Sequence, residues 1–287
     1  MPRLALYGSI AERTAAMVIR RYSTSFRLAS RLLAPPIRRH VGNIYALVRI
    51  ADELVDGGAD EAGLDAVQIA RTLNELERAT EEAMELGYSA NLVVHAFAAT
   101  ARETGFGAEL TRPFFESMRV DLSRTVYDRR GFEAYVYGSA EVIGLMCLRA
   151  FLQHAEVAAE VDARLEHGAR RLGAAFQKVN FLRDLADDFQ ALGRSYFPGV
   201  EVGSFTEADK LRLLDDIDDD LRQSAESIPL LPSSSRRAVA LAHGLFAELS
   251  ARLRRTPADR LIATRVRVPD AVKLRIAAGA VAGRVPR

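Results

Sequence analysis

Apolar residues recur at helical spacing along most of the chain, in stretches of roughly 15 to 30 residues rich in alanine, leucine and arginine, and no stretch alternates in the manner of a strand. The pattern predicts helices over 8–31, 38–57, 64–86, 90–105, 108–124, 131–153, 158–190, 207–226, 234–255 and 270–282. Breaks fall at Pro35-Pro36, Gly57-Gly58, Gly105 to Gly107, Gly193 to Gly199, Pro229 to Pro232, Pro257 and Pro269. Proline removes a backbone donor there, and glycine permits unusual backbone angles. The breaks are short and there is no repeat or low-complexity tract, so the expectation is an all-α, single-domain helical bundle over 1–287. Such a bundle builds its ligand site from side chains projecting inward.

Two of these helices carry a narrow polar stripe. From Ile44 to Asp56, Tyr45, Arg49, Asp52 and Asp56 fall within a sector of about 60°, with Glu53 just outside it. Ile44, Ala46, Leu47, Val48, Ile50, Ala51, Leu54 and Val55 fill the rest of the circumference. A helix apolar nearly all round is buried, so its carboxylates must face a cleft, where they need counter-charge or metal. The second stripe runs through Gln177, Asn180, Asp184 and Asp188, with Arg183 and Asp187 beside it. Lys178 is the exception on its apolar side. A lone Asp-x-x-x-Asp is most simply a solvated helix face; two, each encircled by apolar residues, are better read as a site.

Composition narrows the chemistry. The 39 Lys and Arg balance 38 Asp and Glu, so there is no general reason to expect a nucleic-acid partner. Single Cys147 excludes an internal disulfide framework and a cysteine-based zinc site. The five histidines have no metal-ligand spacing. Charges interrupt the first 33 residues, and no window reaches the ~20 apolar residues of a membrane span. The expectation is a cytoplasmic protein, with peripheral membrane contact left open.

Oxygen ligands without His or Cys favour hard cations, magnesium first and manganese as its substitute, and magnesium commonly joins carboxylates to substrate phosphates. Arg49, Arg183, Arg194 and Tyr196 lie beside the acids in sequence and suit an anion, although an Arg–Asp ion pair is the equally simple reading. Ser23 and Ser25 could donate to phosphate or serve as ordinary helix hydroxyls. Gly138 and Gly144 interrupt a helical pattern, either for tight helix packing or as the wall of a channel for an apolar chain.

From Tyr22 to Lys273 the chain resembles the squalene and phytoene synthase family, and is most similar to its bacterial phytoene synthases. The resemblance rests on Ser23-Thr24-Ser25-Phe26, on Tyr45 through Arg49 to Asp52 and Asp56, and on Tyr135 to Gly144. It continues through Gln177 to Asp188, Arg194 to Pro198, and Arg265 to Pro269 with Lys273. It implies an isoprenoid-synthase bundle with a central cavity that joins two prenyl diphosphates head to head. By residue, it implies magnesium on Asp52, Asp56, Asn180, Asp184 and Asp188, and phosphate contacts from Ser23, Ser25, Arg49, Gln177, Arg183, Tyr196 and Arg265. Phe26 and Arg194 join the substrate-binding set, and Tyr45 and Tyr135 line the reaction centre. The acids and these two tyrosines are the expected catalytic set.

The expected reaction is condensation of two geranylgeranyl diphosphates to phytoene through a cyclopropylcarbinyl diphosphate, without NADPH. A squalene or dehydrosqualene synthase acting on farnesyl diphosphate is the alternative in the same chemistry, the squalene case needing NADPH. A non-catalytic helical partner protein is the alternative in another class. Two residues depart from the family pattern: Glu141 replaces a usual glycine, and Phe246 replaces a frequent tyrosine.

Overall fold

A computed structural model describes residues 2–123, 126–185 and 196–284. Among the described residues there is no β-strand, and the helices are joined by short connections. They are α1 (Arg3–Tyr22), α2 (Thr24–Ser30), α3 (Pro35–Val55), α4 (Gly58–Glu61), α5 (Ala66–Leu86), α6 (Leu92–Thr104), α7 (Ala108–Asp121), α8 (Arg129–Val136) and α9 (Val142–Leu152). There follow α10 (Ala159–Arg183), α11 (Glu207–Ser227), α12 (Ser233–Arg255), α13 (Ala258–Leu261) and α14 (Asp270–Val281).

Helix ends follow local chemistry. Asp65 and Thr206 close capping boxes at the starts of α5 and α11, while Asn91 and Asp128 cap α6 and α8. Gly87 and Gly105 end α5 and α6 at φ of 78° and 77°, where a side chain would be strained. The single helix expected over 8–31 is two, because Ser23 adopts an extended conformation and accepts from the Phe26 N–H at 3.1 Å as the N-cap of α2. The helix expected over 158–190 is helical to Arg183 and capped by Asp184; Asp187, Asp188 and Arg194 lie outside the described residues.

The long apolar run over 131–153 is continuous but contains a π-helical turn at Tyr137–Glu141 between α8 and α9. Gly138 sits where a Cβ would come within 2.2 Å of the Pro113 carbonyl oxygen of α7, so this turn and α7 touch backbone to side of backbone. The run Arg129–Leu152 is long and apolar enough to cross a membrane, but 56% of its most apolar window is buried inside the bundle, where it acts as a core helix.

Two large apolar cores result, beside three small clusters. One joins α1, α3, α6, α7 and α9 around Phe97, Phe114, Phe115, Leu47 and Met146. The other joins α8, α10, α11 and α12 around Leu182, Leu214, Ile217 and Leu253. Lys178, the exception on the apolar side of α10, is buried in a paired state: its Nζ donates to Asp220 Oδ2 at 2.7 Å and to Asp216 Oδ2 at 2.5 Å. Arg171 completes the network with a 3.0 Å bond to Asp220 Oδ1. Burial alone would depress the Lys178 ammonium, but the two carboxylates outweigh it and hold it above its ordinary value.

Candidate active site

Between the two cores lies a cavity of about 680 Å³, walled by α2, α3, α7, the π turn with α9, α10 and α12. Its lining combines a polar set and an apolar set of side chains. Asp52, Asp56, Arg49 and Tyr45 reach it from α3, and Gln177, Asn180, Arg183 and Asp184 from α10. Ser23, Ser25, Phe26, Tyr135, Tyr196 and Arg265 also line it. Every expected site residue that the structure describes therefore faces one space.

The acids on the α3 side are under electrostatic stress. The Asp52 side chain is 31% accessible and lines the cavity. Burial pushes its carboxyl up to about 8, helped by the charges of Asp56 and Asp121 and opposed by Arg49. Arg49 is an incomplete counter-ion. It is hydrogen-bonded to Glu53, lies 4.0 Å from Asp52 Oδ2, and stacks 4.5 Å over the Tyr22 ring. Gathered carboxylates with such a deficit of positive charge suit a cation.

On the α10 side, Asp184 is gripped by two arginines. Arg183 Nε donates to its Oδ1 at 2.8 Å, and Arg265 approaches with Nε 2.9 Å from Oδ1 and Nη2 3.2 Å from Oδ2. The two basic groups thus stand at the cavity, both held by this carboxylate.

Sequence reasoning missed Asp121. It sits at the end of α7, 7% exposed, and its Oδ2 accepts from Tyr135 Oη at 2.7 Å. Burial and the Asp121 charge hold the Tyr135 phenol well above its usual range, so it stays protonated. Tyr135 is packed between Tyr127 and Tyr196, at ring distances of 5.1 and 5.5 Å, and Tyr196 stacks on Phe181 at 3.9 Å. Asp121 shares the buried stripe of α7 with Phe114 and Met118, a position its spacing could have flagged, but only the fold brings it to the tyrosine.

The apolar part of the wall includes Phe26, Phe176 and Phe246, with Ile143, Leu148, Phe151, Leu165 and Leu231. Phe246 stacks on Phe176 at 3.8 Å and lies 5.9 Å from Phe26, so the residue that replaces a tyrosine joins an aromatic cluster. Glu141 is not in the cavity wall. It is buried against Arg170, at 2.6 Å, and that guanidinium lies 5.2 Å over Tyr137. Of the two glycines singled out in the sequence, Gly138 packs on α7 and is not among the cavity-lining residues, whereas Gly144 both packs tightly and lines the cavity. Gly144 and Gly173 line the cavity, and a Cβ on either would come within 2.4 and 2.6 Å of backbone oxygens of Ala169 and Ala140.

A model of the squalene/phytoene synthase family matches residues 19–271. The chain is 31% identical over 200 residues to phytoene synthase 3, chloroplastic, of Zea mays, covering 68% of this chain and 44% of that protein. It is 28% identical over 189 residues to the 4,4'-diapophytoene synthase of Staphylococcus haemolyticus, covering 66% and 62%. The matched part thus spans less than two thirds of these relatives. In fold, a dehydrosqualene synthase solved with a ligand superimposes with a TM-score of 0.75 at 22% identity, over 96% of this chain and 97% of the other. A squalene synthase from Alicyclobacillus acidocaldarius gives 0.74 at 19%, over 89% and 96%. With the family model covering most of its length, the chain belongs to the squalene/phytoene synthase family.

Proposed function

We propose that the protein joins two geranylgeranyl diphosphates head to head to give phytoene, with magnesium as the cofactor. The observation that carries this is one cavity lined both by carboxylates of two helices and by a large set of apolar side chains. Relatives named phytoene synthase, in Zea mays and in Pseudescherichia vulneris at 31% identity, support geranylgeranyl over farnesyl chains.

Asp52, Asp56, Asn180 and Asp184 would hold magnesium, their all-oxygen donor set fits it, and Asp188 joins them by resemblance. Bound there, magnesium would neutralise charge on the departing diphosphate. The protein's own groups do the rest. Arg49, Arg183 and Arg265, with Gln177, Ser23, Ser25 and Tyr196, orient the two diphosphates. As the first diphosphate leaves, its allylic carbon is attacked by the double bond of the second substrate, and ring closure to the cyclopropane expels a proton.

Tyr135 and Asp121 can receive that proton. The phenolic oxygen accepts it while its own hydrogen moves along the 2.7 Å bond to Asp121 Oδ2, so no phenolate need form first. A second departure of diphosphate, rearrangement and a further proton loss complete the hydrocarbon. The aromatic and aliphatic walls exclude water that would quench the cations. Substituting Asp184→Asn tests the acidic set: turnover falls by at least roughly a thousandfold with the helical circular dichroism unchanged. Retained activity would remove the metal assignment.

A further inference from the structure

Arg170 of α10 spans the π turn from one end to the other. Its Nε donates to Glu141 Oε2, on the last residue of the turn, at 2.6 Å, and its guanidinium lies 5.2 Å over the ring of Tyr137, the first residue. Arg170, Tyr137 and Glu141 are not among the cavity-lining residues. The Glu141 side chain is 9% accessible, so its charge needs this partner. Gly173 brings α10 against the same turn, where a Cβ would also come within 3.1 Å of Glu141 Cα. From the other side, Ser117 Oγ of α7 donates to the Tyr135 carbonyl at 3.3 Å.

The turn decides which residues of this run share a face. A π turn, bonded from i to i+5, takes up one residue more than an α-helical turn and rotates everything after it by about 100°. In an unbroken α-helix Ile143, Cys147 and Phe151 would stand about 80°, 120° and 160° around from Tyr135. With one residue taken up, Ile143 and Cys147 come within about 20° of it and Phe151 to about 60°. All four line the cavity. We propose that Arg170 and Glu141 are positioning residues for Tyr135. Their ion pair, braced on Tyr137, keeps the turn wide, and the wide turn holds the Tyr135 phenol on the same side as the apolar wall from α9. Relaxation to α-helical register would turn that wall away from the phenol. The part of Tyr135 in proton transfer rests on the condensation proposed above; its positioning by the turn does not.

The chain has eight tyrosines and no tryptophan, so near-ultraviolet circular dichroism of the full chain reads the packed rings of Tyr127, Tyr135 and Tyr196. Glu141→Gln and Arg170→Gln are each expected to lose much of the tyrosine band that Tyr135→Phe removes, with the far-ultraviolet helical signal kept. Each should lower kcat roughly tenfold with KM changed less than about twofold. Arg170→Lys keeps the cation and should recover most of both losses. The double variant, Glu141→Gln with Arg170→Gln, should lose little more than either alone. It leaves no buried charge unpaired, so it carries the test where a single variant fails to fold. A wild-type tyrosine band and wild-type kcat in these variants, with only the melting temperature lowered, would make the pair a stability element and overturn the proposal. A wild type inert on every prenyl diphosphate contradicts the proposed condensation alone, and the tyrosine band still decides the positioning.

Discussion

Arg265, from the segment between α13 and α14, meets Asp184 at the end of α10 with both guanidinium edges, Nε to Oδ1 at 2.9 Å and Nη2 to Oδ2 at 3.2 Å. A lysine would keep the charge and lose the fork. Arg265→Lys is therefore expected to raise the KM for the prenyl diphosphate roughly tenfold, the loss of about 1.4 kcal/mol, with a smaller change in kcat. Steady-state kinetics at saturating magnesium check it. An unchanged KM would mean that this arginine serves Asp184 alone.

The proton route from Tyr135 to Asp121 predicts a paired effect. Tyr135→Phe and Asp121→Asn should each lower kcat by roughly a hundredfold or more, and the double variant should lose little further, because the two groups act as one unit. Substrate binding should be largely kept. Additive losses in the double variant would show that the two residues act separately.

Asp52 ties pH to stability. Its carboxyl, raised to about 8 in the fold, keeps a proton that the unfolded chain releases near its ordinary value of 3.8. The metal-free protein should therefore lose stability as pH rises between those two values. Asp52→Asn should flatten that limb and raise the melting temperature at pH 7.5, by on the order of 2 kcal/mol in stability, while abolishing turnover. Melting curves in EDTA from pH 5 to 8 measure it. Added magnesium should stabilise the wild type and leave the variant nearly unmoved.

Lys178 makes the buried network of α10 and α11 a stability element. Lys178→Ala leaves Asp220, whose side chain is 3% accessible, with Arg171 as its remaining partner, and should cost about 1–3 kcal/mol in chemical denaturation. Lys178 binds its proton more tightly in the fold than in the unfolded chain. Its contribution is therefore present below its ordinary pKa and is lost as pH climbs through the higher folded value.

The sequence made the helices and both polar stripes legible, because burial imposes a period near 3.6 on every core helix. Local chemistry set what it did not show. Ser23 prefers to cap α2 and so divides a continuous apolar pattern, and the π turn holds Gly138 against α7, partners more than twenty residues apart. Lys178 and Glu141 looked out of place because their counter-charges, Asp220 and Arg170, come from distant positions. Asp121 escaped notice for the same reason. The stripes needed only neighbours along one helix, whereas the tyrosine–aspartate pair exists only after α7 and α8 have packed.

Product identity tests the central claim most directly. Purified protein incubated with geranylgeranyl diphosphate and magnesium, without NADPH, is expected to release diphosphate and a forty-carbon phytoene, as read by chromatography and mass spectrometry. No hydrocarbon from this substrate, together with a thirty-carbon product from farnesyl diphosphate, would contradict the phytoene assignment.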